Sequence, residues 1–254
     1  MKKHIYIPLT LLLAWNLASC KSVKQSPQIA YIKGEYVAVT ATNNPDPELK
    51  QYIDGYKMQL DAQMNRIVGR TDKYMTTGAP ESYLTNLVTD AMTQIDTKYT
   101  NGKTVDLAFM NVHGIRAPFA QGDITLGDVF SAFPFENTLN VLEIKGKYLK
   151  EIFDAIVAKS MVGVSHNAKI EAKNKQVVSV LINNKSIEDE KVYTIVTLDY
   201  LADGNDGMTA FTKAESNTNT NISLRDYMLD NFEKQAKANK PITSVLDGRI
   251  TILN

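Results

Sequence analysis

The sequence is poor in residues that bind metals or form disulfides. Its 254 residues include one cysteine and three histidines. With Cys20 as the lone cysteine, an intramolecular disulfide is excluded. A two-metal hydrolase surrounds each ion with several His and Asp ligands, and His4, His113 and His166 do not have metal-ligand spacing. We therefore expect no catalytic residue, metal or other cofactor in this chain.

Common catalytic and phosphate-binding motifs are also missing. The chain has no G-x-S-x-G elbow, no P-loop and no G-x-G-x-x-G loop. Basic and acidic side chains are balanced at 28 each, and without Lys2 and Lys3 the count becomes 26 basic against 28 acidic. Because no basic stripe is present, nucleic acid is not an expected partner.

The first twenty residues have the pattern of an export signal. A basic start at 1–4 is followed by an apolar run over 5–15, which is too short to span a bilayer. The end of this segment, Leu17-Ala18-Ser19-Cys20, resembles the bacterial lipobox. We therefore expect residues 1–19 to be a signal peptide, and Cys20 to be lipidated and to anchor an exported protein in the membrane. An incidental cysteine behind an ordinary signal peptide is the alternative. Lys21, rather than Asp, after the cysteine resembles lipoproteins of the outer membrane that face the periplasm.

Residues 20–65 predict a tether, a strand and a helix. The β-branched and aromatic residues of Ile29–Ala41 favour a strand within a segment that spans 20–45. Asp46 and Pro47 have the chemistry of a helix start, as cap and first helical residue. The helix predicted over 46–65, of the type that links domains, has apolar residues at helical spacing: Leu49, Tyr52, Ile53, Tyr56, Leu60 and Met64.

Residues 66–254 read as one α+β domain. Helical patterns begin at 80–82, 126, 146 and 223, whereas strand patterns cover 105–110, 139–144, 170–172, 177–182, 193–198 and 249–253. Asn183-Asn184 predicts a two-residue hairpin turn. Strands and helices are mixed without strict alternation, which favours an α+β fold over a doubly wound sheet.

Three unusual segments lie in loops, two of them at the ends of predicted strands. Residues 111–116 read Asn-Val-His-Gly-Ile-Arg, residues 133–137 read Phe-Pro-Phe-Glu-Asn, and residues 199–207 contain glycines around Asp206. Loops that combine glycine, aromatic rings and an arginine are common ligand sites. We therefore expect a binding site built from these loops.

In this order the segments resemble the C-terminal domain of 5′-nucleotidases and UDP-sugar hydrolases. The family pattern reads Glu-Ser-x-Leu-x-Asn-Leu, Asn-x-Gly-Gly-Ile-Arg, Pro-Phe-x-Asn and Asp-Tyr-x-x-x-Gly-x-Asp-Gly. This chain has matching stretches at 81–87, 111–116, 134–137 and 199–207. Four collinear motifs are a specific signal, and the resemblance extends from about residue 46 to the C-terminus. It implies the layered α+β fold of that domain, with mixed sheets and packed helices.

The resemblance implies a role for each matching residue. Phe135 and Tyr200 would stack on the two faces of a nucleobase. Asp206 would accept hydrogen bonds from the ribose, and Asn111 would hold the base or sugar edge. Arg116 would contact the phosphate. Gly204 and Gly207 would let the backbone approach the ligand closely. Simpler roles remain open: packed aromatic rings, a loop-capping aspartate, a turn asparagine and a surface ion pair.

Two departures from the family pattern matter. His113 occupies a position where the family has glycine, so a positive φ is expected there. The family's additional phosphate-binding arginines precede the first motif, but 73–80 contains none. Because family members hydrolyse nucleotides with a metal-bearing N-terminal domain, the expected function is nucleotide recognition together with a separate metallophosphatase subunit. A non-catalytic nucleoside- or nucleotide-binding lipoprotein and a scaffold for protein contacts are the alternatives.

Overall fold

The computed structural model describes residues 31–40 and 44–253. The chain forms two units, one ending at Lys50 and the other beginning at Gln51. In the first unit, residues 31–40 form neither helix nor strand and are exposed. The strand predicted over Ile29–Ala41 is therefore wrong for 31–40, and its other residues lie outside the described ones, as do the leader and Cys20. β-Branched residues favour a strand where a neighbouring strand packs against them, and none of the described strands pairs with 31–40.

The described part of the chain contains the following helices and strands. The helices are α1 (Pro47–Met64), α2 (Tyr83–Met92), α3 (Leu126–Ala132), α4 (Gly146–Lys159), α5 (Asp199–Ala202) and α6 (Leu224–Lys237). The strands are β1 (Ile67–Thr71), β2 (Leu107–Asn111), β3 (Gly122–Thr125), β4 (Thr138–Lys145), β5 (Val162–Val164), β6 (Ala168–Lys173), β7 (Gln176–Ile182), β8 (Lys185–Ser186), β9 (Val192–Leu198), β10 (Ser216–Ser223) and β11 (Ile250–Leu253).

Side-chain caps explain where α1, α2 and α6 begin. Asp46 Oδ1 accepts a hydrogen bond from the amide of Glu48 at 2.9 Å at the start of α1. Ser82 accepts from the amide of Thr85 at the start of α2, and Ser223 caps α6 in the same way. Such caps satisfy amides that have no partner within the helix. The predicted helix starts are confirmed.

A five-stranded sheet, in the order β10-β4-β9-β2-β5, lies at the centre of the second unit. Ala108 and Met110 of β2 belong to a core cluster that includes residues of α2 and α6. Their neighbours Leu107 and Phe109 belong to a second cluster, which includes residues of α4 and β6. Since alternate residues of a strand face opposite sides, this sheet is buried on both faces.

Two smaller sheets complete the layers. Strands β11-β6-β7-β8 form a sheet in which β11 pairs parallel to β6, and β1 pairs with β3. Asn183 and Asn184, between β7 and β8, have φ of 50° and 61°, as the predicted hairpin turn requires. The α+β prediction is confirmed. None of the helices in the described ranges is long and apolar enough to cross a bilayer.

Candidate functional site

The three loops singled out in the sequence meet at one edge of the central sheet. Strands β2 and β9 run parallel, so their carboxyl ends, which lead into 111–116 and 199–207, share that edge. Strand β4 is antiparallel to β9 and pairs Leu139 with Leu198, so the loop 133–137 that precedes β4 is at the same edge. Strand order and direction thus bring together segments that are far apart in sequence.

Asp199 connects two of these loops. Its Oδ1 accepts hydrogen bonds from Asn137 Nδ2 at 2.8 Å and from the amide of Tyr200 at 2.7 Å. Its Oδ2 accepts from both the amide and the hydroxyl of Thr138, each at 3.1 Å. Burial raises the pKa of the Asp199 carboxyl, but these hydrogen bonds outweigh it and hold the pKa below its ordinary value. One carboxylate therefore fixes the loop of Phe135 relative to the loop of Tyr200.

Phe135 and Tyr200 both present their rings to solvent. Phe135 is 48% exposed and Tyr200 is 37% exposed, so neither is a packed core residue. The guanidinium of Arg116 lies 6.0 Å from the centre of the Phe135 ring, and its Nη1 donates to the carbonyl of His113 at 3.4 Å. Among the described residues Arg116 forms no salt bridge, so the ion-pair alternative is not supported.

Asp206 lies beside Tyr200. The hydroxyl of Tyr200 donates to Asp206 Oδ1 at 3.0 Å, and this hydrogen bond and the negative charge raise the pKa of the phenol. Asp206 has φ of 53°, a conformation that aspartate tolerates better than most residues. Asp206 thus stabilises its own loop, as the simpler interpretation expected, and a carboxylate keeps acceptor capacity for a further donor.

The backbone conformation at positions 204 and 207 favours glycine. Their φ values are 86° and 71°, in the region that glycine adopts at no steric cost. At Gly207 a Cβ would lie 1.6 Å from Lys159 Nζ, which donates to the carbonyl of Asp206 at 3.1 Å. Lys159 is the last residue of α4, and it contacts this loop through its side chain. The sequence analysis missed it, since the contact depends on tertiary structure.

Asn111 ends β2 and is 9% exposed. Its buried Oδ1 accepts no hydrogen bond from the described residues. Gly114 has no room for a side chain, because a Cβ would lie 2.6 Å from that oxygen. His113 lies in a short 3₁₀ turn, Val112–Gly114, and is not among the residues with positive φ. The expectation of a positive φ at His113 is wrong, since this loop continues as a right-handed turn.

The first family motif holds the C-terminal segment. Glu81 accepts hydrogen bonds from the amides of Asp247 and Gly248 at 2.8 and 3.1 Å. Asn86 donates to Glu81 and to the carbonyl of Val245, at 2.7 and 2.8 Å. A Glu and an Asn five residues apart therefore secure the approach to β11, and this motif has a structural role.

We expect Asp199→Asn to destabilise the protein by about 1–3 kcal/mol. The NH₂ group of the new side chain would face hydrogen-bond donors of Asn137, Thr138 and Tyr200, which the carboxylate accepts from in wild type. A carboxyl with a lowered folded-state pKa stabilises above its ordinary pKa of 3.8 and loses this contribution as pH falls through the folded value. The difference in unfolding free energy between wild type and variant should therefore be smaller at pH 3 than at pH 6, as measured by urea denaturation. Asp203→Asn, in an exposed position of the same loop, is the control and should change little. An equal difference at both pH values would contradict the assignment.

Comparison with known proteins decides the family. A profile of the 5′-nucleotidase, C-terminal domain, matches residues 65–213, more than half of the chain. The chain belongs to this family. The matched range includes Asn137 and Asp199, whose side chains are in contact here.

Relatives within the family are much longer than this chain. It is 28% identical over 225 residues to the trifunctional nucleotide phosphoesterase protein YfkN of Bacillus subtilis, covering 81% of this chain and 15% of that protein. It is 30% identical over 194 residues to the NAD 5′-nucleotidase of Haemophilus influenzae, covering 66% and 32% respectively. The structure of a 5′-nucleotidase precursor from Thermus thermophilus matches with a TM-score of 0.70 and 26% identity, covering 81% of this chain and 43% of that one. The chain thus spans less than half the length of each of these three proteins.

Proposed function

We propose that this chain is the nucleotide-recognition part of a 5′-nucleotidase-type phosphohydrolase and that a separate metallophosphatase subunit performs the hydrolysis. The chain would bind the nucleotide, and the partner would contribute divalent metals and the attacking water for nucleotide catabolism. Membership in the 5′-nucleotidase C-terminal domain family supports the recognition role.

One observation carries the proposal. The Asp199 carboxylate accepts from Asn137 at 2.8 Å, so the loops bearing Phe135 and Tyr200 are held together while both rings stay exposed. Paired rings on separate loops suit a flat heterocycle and accept more than one base.

The other site residues take the roles that the family resemblance implies. Asp206, already hydrogen-bonded to Tyr200, accepts from the ribose hydroxyls. Asn111 would have to turn toward the ligand to contact the base or sugar edge, because its unpaired Oδ1 is buried beside Gly114. The forked donors of Arg116 suit a phosphate oxygen, since its guanidinium is exposed beside Phe135. Backbone at Gly204 and Gly207 approaches the ligand closely.

Catalysis is assigned to the partner because of the ligand supply in this chain. Within the described ranges no group of three His, Cys, Asp or Glu residues could hold a metal ion. Of the two histidines beyond the leader, the His166 ring faces Asp90 at 3.2 Å, and His113 follows Asn111 in the loop. Divalent metals are therefore proposed in the partner subunit alone.

Helix α1 supplies a surface for that partner. Tyr52, Ile53, Tyr56 and Leu60 recur on one helical face and are between 51% and 64% exposed. Most of the stability of a helix in a protein comes from packing of its apolar face, and tyrosine is enriched at interfaces. The helix immediately precedes the family domain at residue 65, where the additional part of a longer family member would join. We therefore assign this face to the metallophosphatase subunit.

A charge on that face should release the partner. We expect Tyr56→Glu combined with Leu60→Glu to lower, by about tenfold or more, the metal-dependent AMP hydrolysis that co-purifies with the tagged protein from its native membrane, the effect of losing an interface hot spot. Met58→Glu is the matched control, because Met58 is 73% exposed on the opposite face of α1. The purified chain alone should hydrolyse no AMP with added divalent metals. Turnover by the chain alone, or no co-purifying hydrolysis with wild type, would contradict the two-subunit proposal.

A non-catalytic nucleoside-binding lipoprotein is the second candidate, and the surroundings of Lys73 favour it. Lys73 lies in the stretch where the family has phosphate-binding arginines, but its ammonium donates to the carbonyl of Ser244 at 3.0 Å and lies over the Tyr83 ring. Calorimetry with adenosine, AMP and UDP-glucose separates the candidates. Tighter binding of AMP supports nucleotide recognition, whereas equal affinity for adenosine and AMP supports the nucleoside-binding alternative.

For the location, we propose an exported lipoprotein anchored through Cys20 in the outer membrane and facing the periplasm. The lipobox-like end of the leader supports this. An anchored subunit would place nucleotide recognition outside the cytoplasm, where a fold without disulfides depends on its hydrophobic core for stability.

A further inference from the structure

Arg225 lies buried beneath the loop that carries Phe135. It is the second residue of α6, and its side chain is 10% exposed. Its Nη1 donates to the carbonyls of Phe133 and Pro134, at 3.4 and 3.5 Å. Its Nη2 donates to the carboxylate of Glu136. The guanidinium therefore contacts the residues on both sides of Phe135.

Two further contacts fix this arrangement. The guanidinium of Arg225 lies 4.4 Å from the centre of the Phe130 ring, a cation–π contact. The amide of Leu224, which immediately precedes Arg225 in the helix, donates to the carbonyl of Asn137 at 2.9 Å. The first turn of α6 thus holds the loop at 133, 134, 136 and 137, and between these points the Phe135 ring stays exposed.

Stability alone does not explain an arginine at this position. Burial of a guanidinium is costly, and apolar residues of similar size often stabilise a protein as well or better. Here Nη1 donates to two backbone carbonyls and Nη2 to Glu136, whose side chain is 75% exposed, whereas the buried Nε has no partner among the described residues. The forked, planar geometry of arginine suits this set of acceptors, which a lysine would satisfy less well.

We infer that Arg225 is a positioning residue for ligand binding: it holds Phe135 in the orientation that stacks on the base, without contacting the ligand itself. This inference rests on the proposed recognition of a nucleotide or nucleoside at Phe135 and Tyr200. It adds α6, which lies far along the sequence from the three motif loops, to the structure that determines affinity.

A double-mutant cycle tests the inference, with adenosine affinity of the full chain measured by calorimetry. We expect Arg225→Met to raise the Kd about tenfold, a coupling typical of residues that act on one another. In a Phe135→Ala background, Arg225→Met should change the Kd by less than about twofold, because the ring that it positions is gone. Arg66→Met, which removes an arginine from an exposed ion pair with Glu233, is the control and should leave the Kd unchanged.

Glu136→Gln provides a second variant, since an exposed residue can be changed without loss of the fold. It removes the charged partner of Arg225 and should weaken adenosine binding in the same direction, again only when Phe135 is present. An equal effect of Arg225→Met in both backgrounds, or no effect in wild type, would overturn the inference while Phe135→Ala still weakens binding. If the wild-type chain binds no adenosine, AMP or UDP-glucose, the proposed function fails and the inference fails with it.

Discussion

Arg249→Met is expected to lower the free energy of unfolding by about 3–5 kcal/mol, the cost of removing one partner from a buried ionic network. The side chain of Arg249 is 1% exposed. Nε and Nη2 donate to the two oxygens of Asp247, both at 2.9 Å. Nη1 and Nη2 donate to Asp90 at 2.9 and 3.0 Å, and Nη1 also reaches the carbonyl of Val164 at 3.0 Å.

The network joins three parts of the domain, because Asp90 belongs to α2, Val164 to β5 and Asp247 to the segment before β11. Without the guanidinium, two carboxylates that are 31% and 34% exposed would face each other without a cation. Urea denaturation at pH 7 measures the loss. Arg66→Met, in an exposed pair, should cost no more than about 1 kcal/mol. If Arg249→Met and Arg66→Met have equal effects, the network does not stabilise the fold as described.

Phe135→Ala and Tyr200→Ala should each raise the Kd for adenosine by about 5- to 150-fold, since a stacked base contributes about 1–3 kcal/mol. Because the rings belong to separate loops, each substitution removes one face of the stack, and the double variant should bind more weakly than either single one.

Two further variants separate stacking from other effects. Tyr200→Phe keeps the ring but removes the hydrogen bond to Asp206, so its Kd should change much less than that of Tyr200→Ala. Tyr74→Ala removes an aromatic residue that is 58% exposed outside the three loops and should bind as wild type does. Unchanged affinity in both Phe135→Ala and Tyr200→Ala would show that the ligand site is elsewhere.

Local signals in the sequence predicted much of the secondary structure. The caps at Ser82 and Ser223 and the turn at Asn183-Asn184 depend on residues within a few positions, so they can be read without tertiary information. Strand β10, in contrast, is an edge strand rich in Asn, Thr and Ser that pairs with β4 alone. Its polar sequence has no strand signal, and the sheet edge determines its conformation.

The candidate site was likewise predictable only in part from the sequence. Motif resemblance indicated Phe135 and Tyr200, but the contact between Asn137 and Asp199 joins residues 62 positions apart. Arg225 reaches Glu136 across 89 positions. A buried arginine inside an amphipathic helix looks like a surface residue in sequence, so neither Arg225 nor Lys159 could be assigned to the site before the fold was known.

Exposure of α1 and of residues 31–40 has a common explanation. Composition predicts which segments can bury apolar side chains, but it does not predict whether this chain supplies the surface that covers them. The apolar face of α1 has the helical spacing expected, and its residues Tyr52, Ile53, Tyr56 and Leu60 remain exposed. Under the proposed function, the metallophosphatase subunit would cover this face.

A crystal structure of the chain with adenosine tests the central proposal most directly. We expect the adenine ring between Phe135 and Tyr200, in van der Waals contact with both rings at about 3.5–4 Å, and the ribose hydroxyls hydrogen-bonded to Asp206. Adenosine bound at another surface, or against neither of the two rings, would contradict the proposal that these loops form a nucleoside-recognition site.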